Sequence, residues 1–274
     1  TEGAAAGSDR AVGKLKEAAS SILMKVLYDA RMARYDLLRA INGLACMITN
    51  WDTQCDARLH RLMCYLNSSL DKMMCGWVGD KPKDVLPHLF ADADLAGCPI
   101  TKRSTSGVHF CLAGPKTYMS LTAESKRQSC AACSTPEAEL VAAHTGLKRY
   151  VGPSLALWEL LLPPTVVIIF HEDNTAMIQV VRGGRNPTMR HLGRTHNISI
   201  AALHEAMAGH KDTRLPIEIM YTLSSEMRAD IYTKEFPEPL KWTEAQRLIS
   251  IIDPKNIVDH IAHFEINMEP HVPR

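Results

Sequence analysis

Residues 166–170 read VVIIF, apolar at every position and mostly β-branched. A strand that meets water on one face alternates polar and apolar side chains, whereas a run apolar throughout has to be covered on both faces. The run therefore predicts a buried strand of the parallel type, inside a layered core where helices supply the cover. The longer apolar stretch that contains it, 155–170, is interrupted by Glu159 and by Pro163 and Pro164. It cannot span a membrane, which takes about 20 uninterrupted apolar residues.

The rest of the chain fits around that strand. Apolar residues at helical spacing, among them Leu23, Val26, Leu27 and Ala30, predict a helix within 12–48. Leu59, Leu62, Met63 and Leu66 predict a second over 55–70. The charged stretch GDKPKD (79–84) reads as a linker. Beyond it, short apolar runs at 86–91, 108–112 and 117–121 are separated by Gly, Pro and Ser turns, the pattern of an antiparallel meander. Residues 136–149 read as a helix whose first turn holds Pro136, Glu137 and Glu139. After VVIIF come a helix from near Asn174, a Gly/Arg loop, a helix at 196–208, a short strand at 217–221 and a final helix from Ser225. The expected fold is a mixed α/β (α+β) sheet, three antiparallel strands continued by two parallel strands with crossover helices, preceded by a helical segment. The domain expectation is a helical segment over 1–84, a sheet domain over 85–236 and a helical tail over 237–274.

Composition narrows the setting. The first residues contain no apolar stretch of signal-peptide type, so the expectation is an intracellular protein, cytoplasmic or nuclear, neither secreted nor membrane-bound. The eight cysteines are then expected to be reduced, and Cys130 and Cys133, the one CxxC pair, to be buried thiols. A zinc site would want a second pair or a histidine pair at matching spacing, and neither is apparent among His191, His196, His204 and His210. The net charge of +1 excludes a histone-like binder. Nucleic acid could be held only by a local patch, and one exists. No acidic residue occurs from Asn174 to His204, while Arg182, Arg185, Arg190 and Arg194 all fall inside.

Four carboxylates occupy strand ends and helix starts: Asp92, Glu139, Asp173 and Asp230. Such positions can converge at one edge of an α/β sheet. Packed together, four carboxylates repel one another unless cations compensate them, and magnesium takes oxygen ligands of this kind. With 30 acidic residues to choose from, and with capping accounting for an acid at a helix start, layout alone leaves the metal reading open. Asp94 and Glu137, beside two of these positions, read as solvated neighbours.

Local sequence sharpens the choice. DADLAGCPITKRSTSG (92–107) resembles the DADWAG…RRSTSG signature of the ribonuclease H domain of copia-type (Ty1/copia) retrotransposon polyproteins. SKRQSCAACSTPEAELVAA (125–143) is similar to that family's SKKQ…SSTEAEYVAL, and HEDNTAMI (171–178) to its CDNQSAI. RHLGRTHNISI (190–200) resembles SRTKHIDI, and MRADIYTK (227–234) resembles QLADILTK. Five motifs stand in the family's order. Upstream, VLYDARMARYDLLRAINGLA (26–45) and LHRLMCYLNSSLD (59–71) are similar to the connection region that precedes the domain, so the resemblance covers most of 22–236.

The resemblance implies a ribonuclease H-like fold and hydrolysis of the RNA strand of RNA/DNA hybrids with two magnesium ions, manganese being able to substitute. Carried over by position, Asp92, Glu139, Asp173 and Asp230 become the catalytic metal ligands. Asp92 would serve both ions, Asp230 the ion at the nucleophilic water, and Glu139 and Asp173 the ion at the leaving group. The four arginines become candidates for backbone contact, and the reverse transcriptase part of the parent polyprotein becomes a partner. Departures are visible. Leu95 replaces a Trp, Pro136 adds a residue, and Tyr35 replaces the Pro of an RPD-like triplet. No YxDD polymerase motif occurs. The alternative from another class is a retroelement-derived domain that binds nucleic acid or serves as a scaffold without catalysis.

Overall fold

The computed structural model of the chain describes residues 11–98, 100–163, 167–207 and 217–267. Its centre is a five-stranded mixed sheet. Strands β1 (Leu86–Ala93), β2 (Thr105–Gly114) and β3 (Thr117–Arg127) form an antiparallel meander, and β4 (Ile168–Glu172) and β5 (Ile217–Tyr221) continue it in parallel from the β1 edge. The spatial order is β3-β2-β1-β4-β5. Three antiparallel strands extended by two parallel ones is the sheet expected above, and it is compatible with a ribonuclease H-like fold. The run forms an inner strand with Ile168 and Phe170 fully covered, but Val167 and Ile169 on its other face are only half-buried, so cover is complete on one face alone; residue 166 lies outside the described residues.

Side chains alternate across the sheet with period two, so each strand feeds two cores. On β1, Leu89, Ala91 and Ala93 pack on one face and Phe90 on the other. The first face is covered by α4 (Thr135–Gly146), α5 (Gly152–Leu161), α6 (Thr175–Gly183), the single turn α7 (Leu192–Thr195) and α8 (Ile200–Met207). The second is covered by α1 (Lys16–Ala33), α2 (Leu38–Ala45) and α3 (Thr53–Ser68), joined by α9 (Pro239–Leu248). A further helix, α10 (Ile257–Asn267), follows. Met73 and Met74 pair antiparallel with Ile252 and Ile251, so the C-terminal segment closes back onto the helical preface.

Two expected helices take other forms. The periodic stretch 12–48 is broken at Arg34 (φ −136°, ψ 62°), where the chain turns inward. There the guanidinium donates to Asp36 at 2.9–3.0 Å and to the backbone of Ser69 at 2.8 Å. The helix expected from Ser225 is a pair of 3-10 turns, Ser224–Glu226 and Arg228–Tyr232. Residues 229–232 are all buried against β1, β2 and α2, and an α-helix lying on a sheet would turn part of that run outward. Of the expected helical tail, the described residues 237–267 include α9 and α10 with the short Ile251–Ile252 strand between them; 268–274 lie outside the described residues.

Candidate active site

Because β1 and β4 run parallel, with Phe90 opposite His171, their C-terminal ends emerge side by side. Asp92 lies near the end of one and Asp173 just past the other. Helix α4 brings the third acid. Ser134 caps it, accepting from the Glu137 N–H at 3.4 Å, and Pro136 fits the first turn, where its missing N–H costs nothing. Glu139 then falls just beyond that turn and faces the strand ends. One carboxylate oxygen each from Asp92, Glu139 and Asp173 lies within 4.8 Å of the other two.

Asp230 comes from the second 3-10 turn and reaches the group through a shared cation. Lys234 Nζ stands 2.7 Å from Asp230 Oδ2 and 3.6 Å from Asp92 Oδ1. The Thr233 hydroxyl donates to Asp92 Oδ2, and Arg39 of α2 donates from Nε to the Thr233 carbonyl at 3.0 Å. Gly107, paired with Asp92 across the β1–β2 ladder, lets this segment lie against the sheet. A Cβ there would stand 2.8 Å from the Ala229 carbonyl oxygen and from Thr233 Cγ2. Asp173 accepts from the Ser224 hydroxyl at 2.6 Å, and Asn174 caps α6 by accepting from the Met177 N–H at 3.0 Å.

The structure adds a fifth acid. Glu172, the last residue of β4, is fully buried, and its Oε1 accepts from the Asn174 N–H at 3.0 Å. The sequence carries one signal for it, a charged residue directly after an unbroken apolar run; the family motif has a Cys at that position, so the resemblance assigns Glu172 no role.

Burial dominates the electrostatics. It pushes the Glu139 carboxyl up to about 11, reinforced by the charges of Glu172, Asp92 and Asp173. Asp230 is pushed up to about 7 by burial and then by Asp92, with Lys234 opposing. Asp92 is raised by burial against the pull of Lys234 and Thr233, and Glu172 is raised well above the carboxylate range by burial, with Asp173 and Asp92 adding to it. For Lys234, burial works downward, but Asp92 and Asp230 outweigh it and the ammonium is held above its ordinary value. Three buried oxygens, Glu139 Oε2, Glu172 Oε2 and Asp230 Oδ1, have no hydrogen-bond partner among the described residues. An all-oxygen set of crowded, unsatisfied carboxylates has the donor chemistry of a hard divalent cation such as magnesium.

The other expected residues fare differently. Arg182 lies in the last turn of α6, about 10 Å along the axis from its start. Arg185, Arg190 and Arg194 follow in the loop and turns beyond, and all four are exposed. Glu137 is not a solvated neighbour. It is 1% exposed, because the 187–196 segment folds over it and sets His191 and His196 against its carboxylate. Asp94 is half-buried, accepting from the Thr105 N–H at 2.5 Å and standing 3.8 Å from Arg39. Nor are the CxxC thiols buried: Cys133 is exposed and Cys130 half-exposed, since they lie in the turn before α4 rather than inside an element. All eight cysteines are free thiols. No helix among the described residues is long and apolar enough to cross a membrane.

The chain matches no protein-family model and no curated protein. Among solved structures it is similar to the native prototype foamy virus protease-reverse transcriptase, at 12% identity and a TM-score of 0.31. The match covers 64% of this chain and 22% of that one, so this chain spans about a fifth of its length.

Proposed function

We propose that the chain is a metal-dependent ribonuclease H, the ribonuclease H portion of a copia-type retrotransposon polyprotein with part of its connection region, and that it hydrolyses the RNA strand of RNA/DNA hybrids. The observation that carries this reading is the convergence of Asp92, Glu139 and Asp173 oxygens within 4.8 Å, at strand ends and a helix start separated by up to 81 residues of chain. Their sequence surroundings are the motifs that resemble the family. A pair of divalent cations, when bound, supplies activation of the attacking water and stabilisation of the leaving oxygen. The chain's own residues hold and place those cations. Asp92 belongs to the three-oxygen group and also lies beside Asp230 through Lys234, which supports its assignment to both ions. Glu139 and Asp173 then hold the leaving-group side and Asp230 the nucleophile side. Thr233 and Ser224 fix two of the carboxylates by hydrogen-bonding to one oxygen of each, and the second oxygen of Asp92 faces Lys234, a cation that a metal ion would displace. RNA is told from DNA by contacts to 2′-hydroxyls, while phosphate contacts from exposed arginines fix register. The reverse transcriptase part of the parent polyprotein is the protein partner of this reading.

The test is a gel assay of the purified chain on labelled RNA/DNA hybrid, with and without magnesium. Magnesium-dependent cleavage is expected in the wild type, and Asp92→Asn is expected to lose it at least a hundredfold while keeping its circular dichroism spectrum. Undiminished cleavage by the variant removes the site assignment. No cleavage by the wild type, with no stabilisation by magnesium, leaves the scaffold reading.

A further inference from the structure

A second cluster of ligating side chains forms where the first turn of α4 meets the 187–196 segment. Cys133 Sγ, a Glu137 carboxylate oxygen and a His191 ring nitrogen lie within 4.8 Å of one another. His191 Nε2 stands 3.1 Å from Glu137 Oε2, and His196 Nε2 stands 3.3 Å from the other oxygen, Oε1. The His196 side chain is 1% exposed, and neither of its ring nitrogens has a hydrogen-bond partner among the described residues. Glu137 Oε1 has none either.

Part of this arrangement has an ordinary explanation. Ser134-Thr135-Pro136-Glu137 is a capping-box sequence. Ser134 accepts from the Glu137 N–H, and Glu137 Oε2 reaches back to accept from the Cys133 N–H at 3.2 Å. Capping accounts for a glutamate at the third helical position. It does not account for a thiol and two imidazoles arranged around that glutamate, one imidazole buried with Nε2 set against Glu137 Oε1 and Nδ1 without a hydrogen-bond partner among the described residues.

We propose that Cys133, Glu137 and His191 form a zinc site distinct from the acidic centre, with His196 held against the far oxygen of Glu137 to orient it. The donor set of sulfur, imidazole nitrogen and carboxylate oxygen is the one zinc prefers, whereas magnesium takes oxygen alone. Three protein ligands leave the fourth tetrahedral position to water. Binding replaces the thiol proton of Cys133 with the metal and releases that proton to solvent. His196 takes the place usually filled by an outer-shell partner, which fixes the direction of a ligating carboxylate. The site joins the turn before α4 to the segment that carries Arg190 and Arg194. Cys130, whose Sγ–H donates to the Thr195 carbonyl at 3.1 Å, already ties the same two pieces of chain. Zinc would therefore brace the arginine-bearing segment against the helix that presents Glu139.

The test uses the full chain stripped with a chelator and then equilibrated with zinc alone or with cobalt(II) alone. The wild type is expected to retain one zinc per chain through desalting and, with cobalt, to show a sulfur-to-cobalt charge-transfer band. Cys133→Ser should abolish that band, and Cys133→Ser and His191→Ala should each weaken zinc binding at least tenfold. Asp92→Asn should keep both zinc and band, which separates this site from the acidic centre. Circular dichroism checks folding, and His191→Ala serves where Cys133→Ser fails it. Absence of bound zinc in the wild type, absence of the cobalt band, or undiminished zinc in both variants overturns the proposal.

Discussion

Lys234 decides how far the acidic centre can ionise, because it is the cation that the structure sets between Asp92 and Asp230. One ammonium cannot balance five crowded carboxyls, so burial keeps several of them protonated. A carboxyl raised in the folded state holds its proton longer than it does in the unfolded chain, and native stability therefore falls as pH rises between the two values. The contribution is complete below the ordinary values of 3.8 and 4.5. It is lost as pH passes about 7, where Asp230 ionises, and continues to drain toward about 11 for Glu139. A divalent cation binds the ionised form and competes with these protons. The rise in Tm on adding magnesium is accordingly expected to be larger at pH 8 than at pH 6, with Lys234→Ala enlarging the loss of cation-free stability between those values. Thermal scans at both pH values check this, and a magnesium effect equal at the two would contradict it.

At the scale of elements, the centre depends on how closely the 228–233 segment lies on β2. Gly107 permits that approach, and Gly107→Ala puts a methyl group 2.8 Å from backbone and side chain of the segment. The expected cost is about 1–3 kcal/mol in denaturant unfolding, with most of the magnesium stabilisation lost because Asp230 and Thr233 move off Asp92. An unchanged magnesium effect would mean that the segment does not hold the site. The arginine segment is tested separately. Replacing Arg190 and Arg194 by alanine should weaken hybrid binding and flatten the dependence of log K on log salt by about 2, and an equal slope would clear them. Much at this scale was readable in the sequence. VVIIF and the short runs before it identify the sheet, because burial on one face or two writes a period into the chain. Glu137 and the 3-10 turns were not readable, since each depends on a segment remote in sequence: His191 and His196 for the one, β1, β2 and α2 for the other.

For the whole molecule, the question is what binds the helical preface and the C-terminal segment into one body with the sheet. Apolar packing supplies part of it, with Leu23, Ile41, Leu59, Phe90, Tyr118, Ala245 and Ile249 in a single core. The polar part is a buried network around Asp36. Its carboxylate accepts from Arg34 at 2.9–3.0 Å, from the Tyr65 hydroxyl at 2.6 Å and from the Gln246 side-chain amide at 3.0 Å. Arg34 and Asp36 are the charged members of the RPD-like triplet noted in the sequence, so the motif was legible while its reach to Gln246, 210 residues on, was not. Nothing local in 237–274 marks a partner that distant. Removing the carboxylate leaves Arg34 buried with its charge uncompensated, and breaking a buried pair in this way typically costs about 3–5 kcal/mol. Asp36→Ala is therefore expected to lower the unfolding free energy by that amount in denaturant titrations and to raise hydrogen exchange first in α3 and α9, which meet at the network, with β1 and β4 protected for longer. If exchange rose uniformly across all five strands, the two faces of the sheet would be a single cooperative unit and Asp36 no special tie between them.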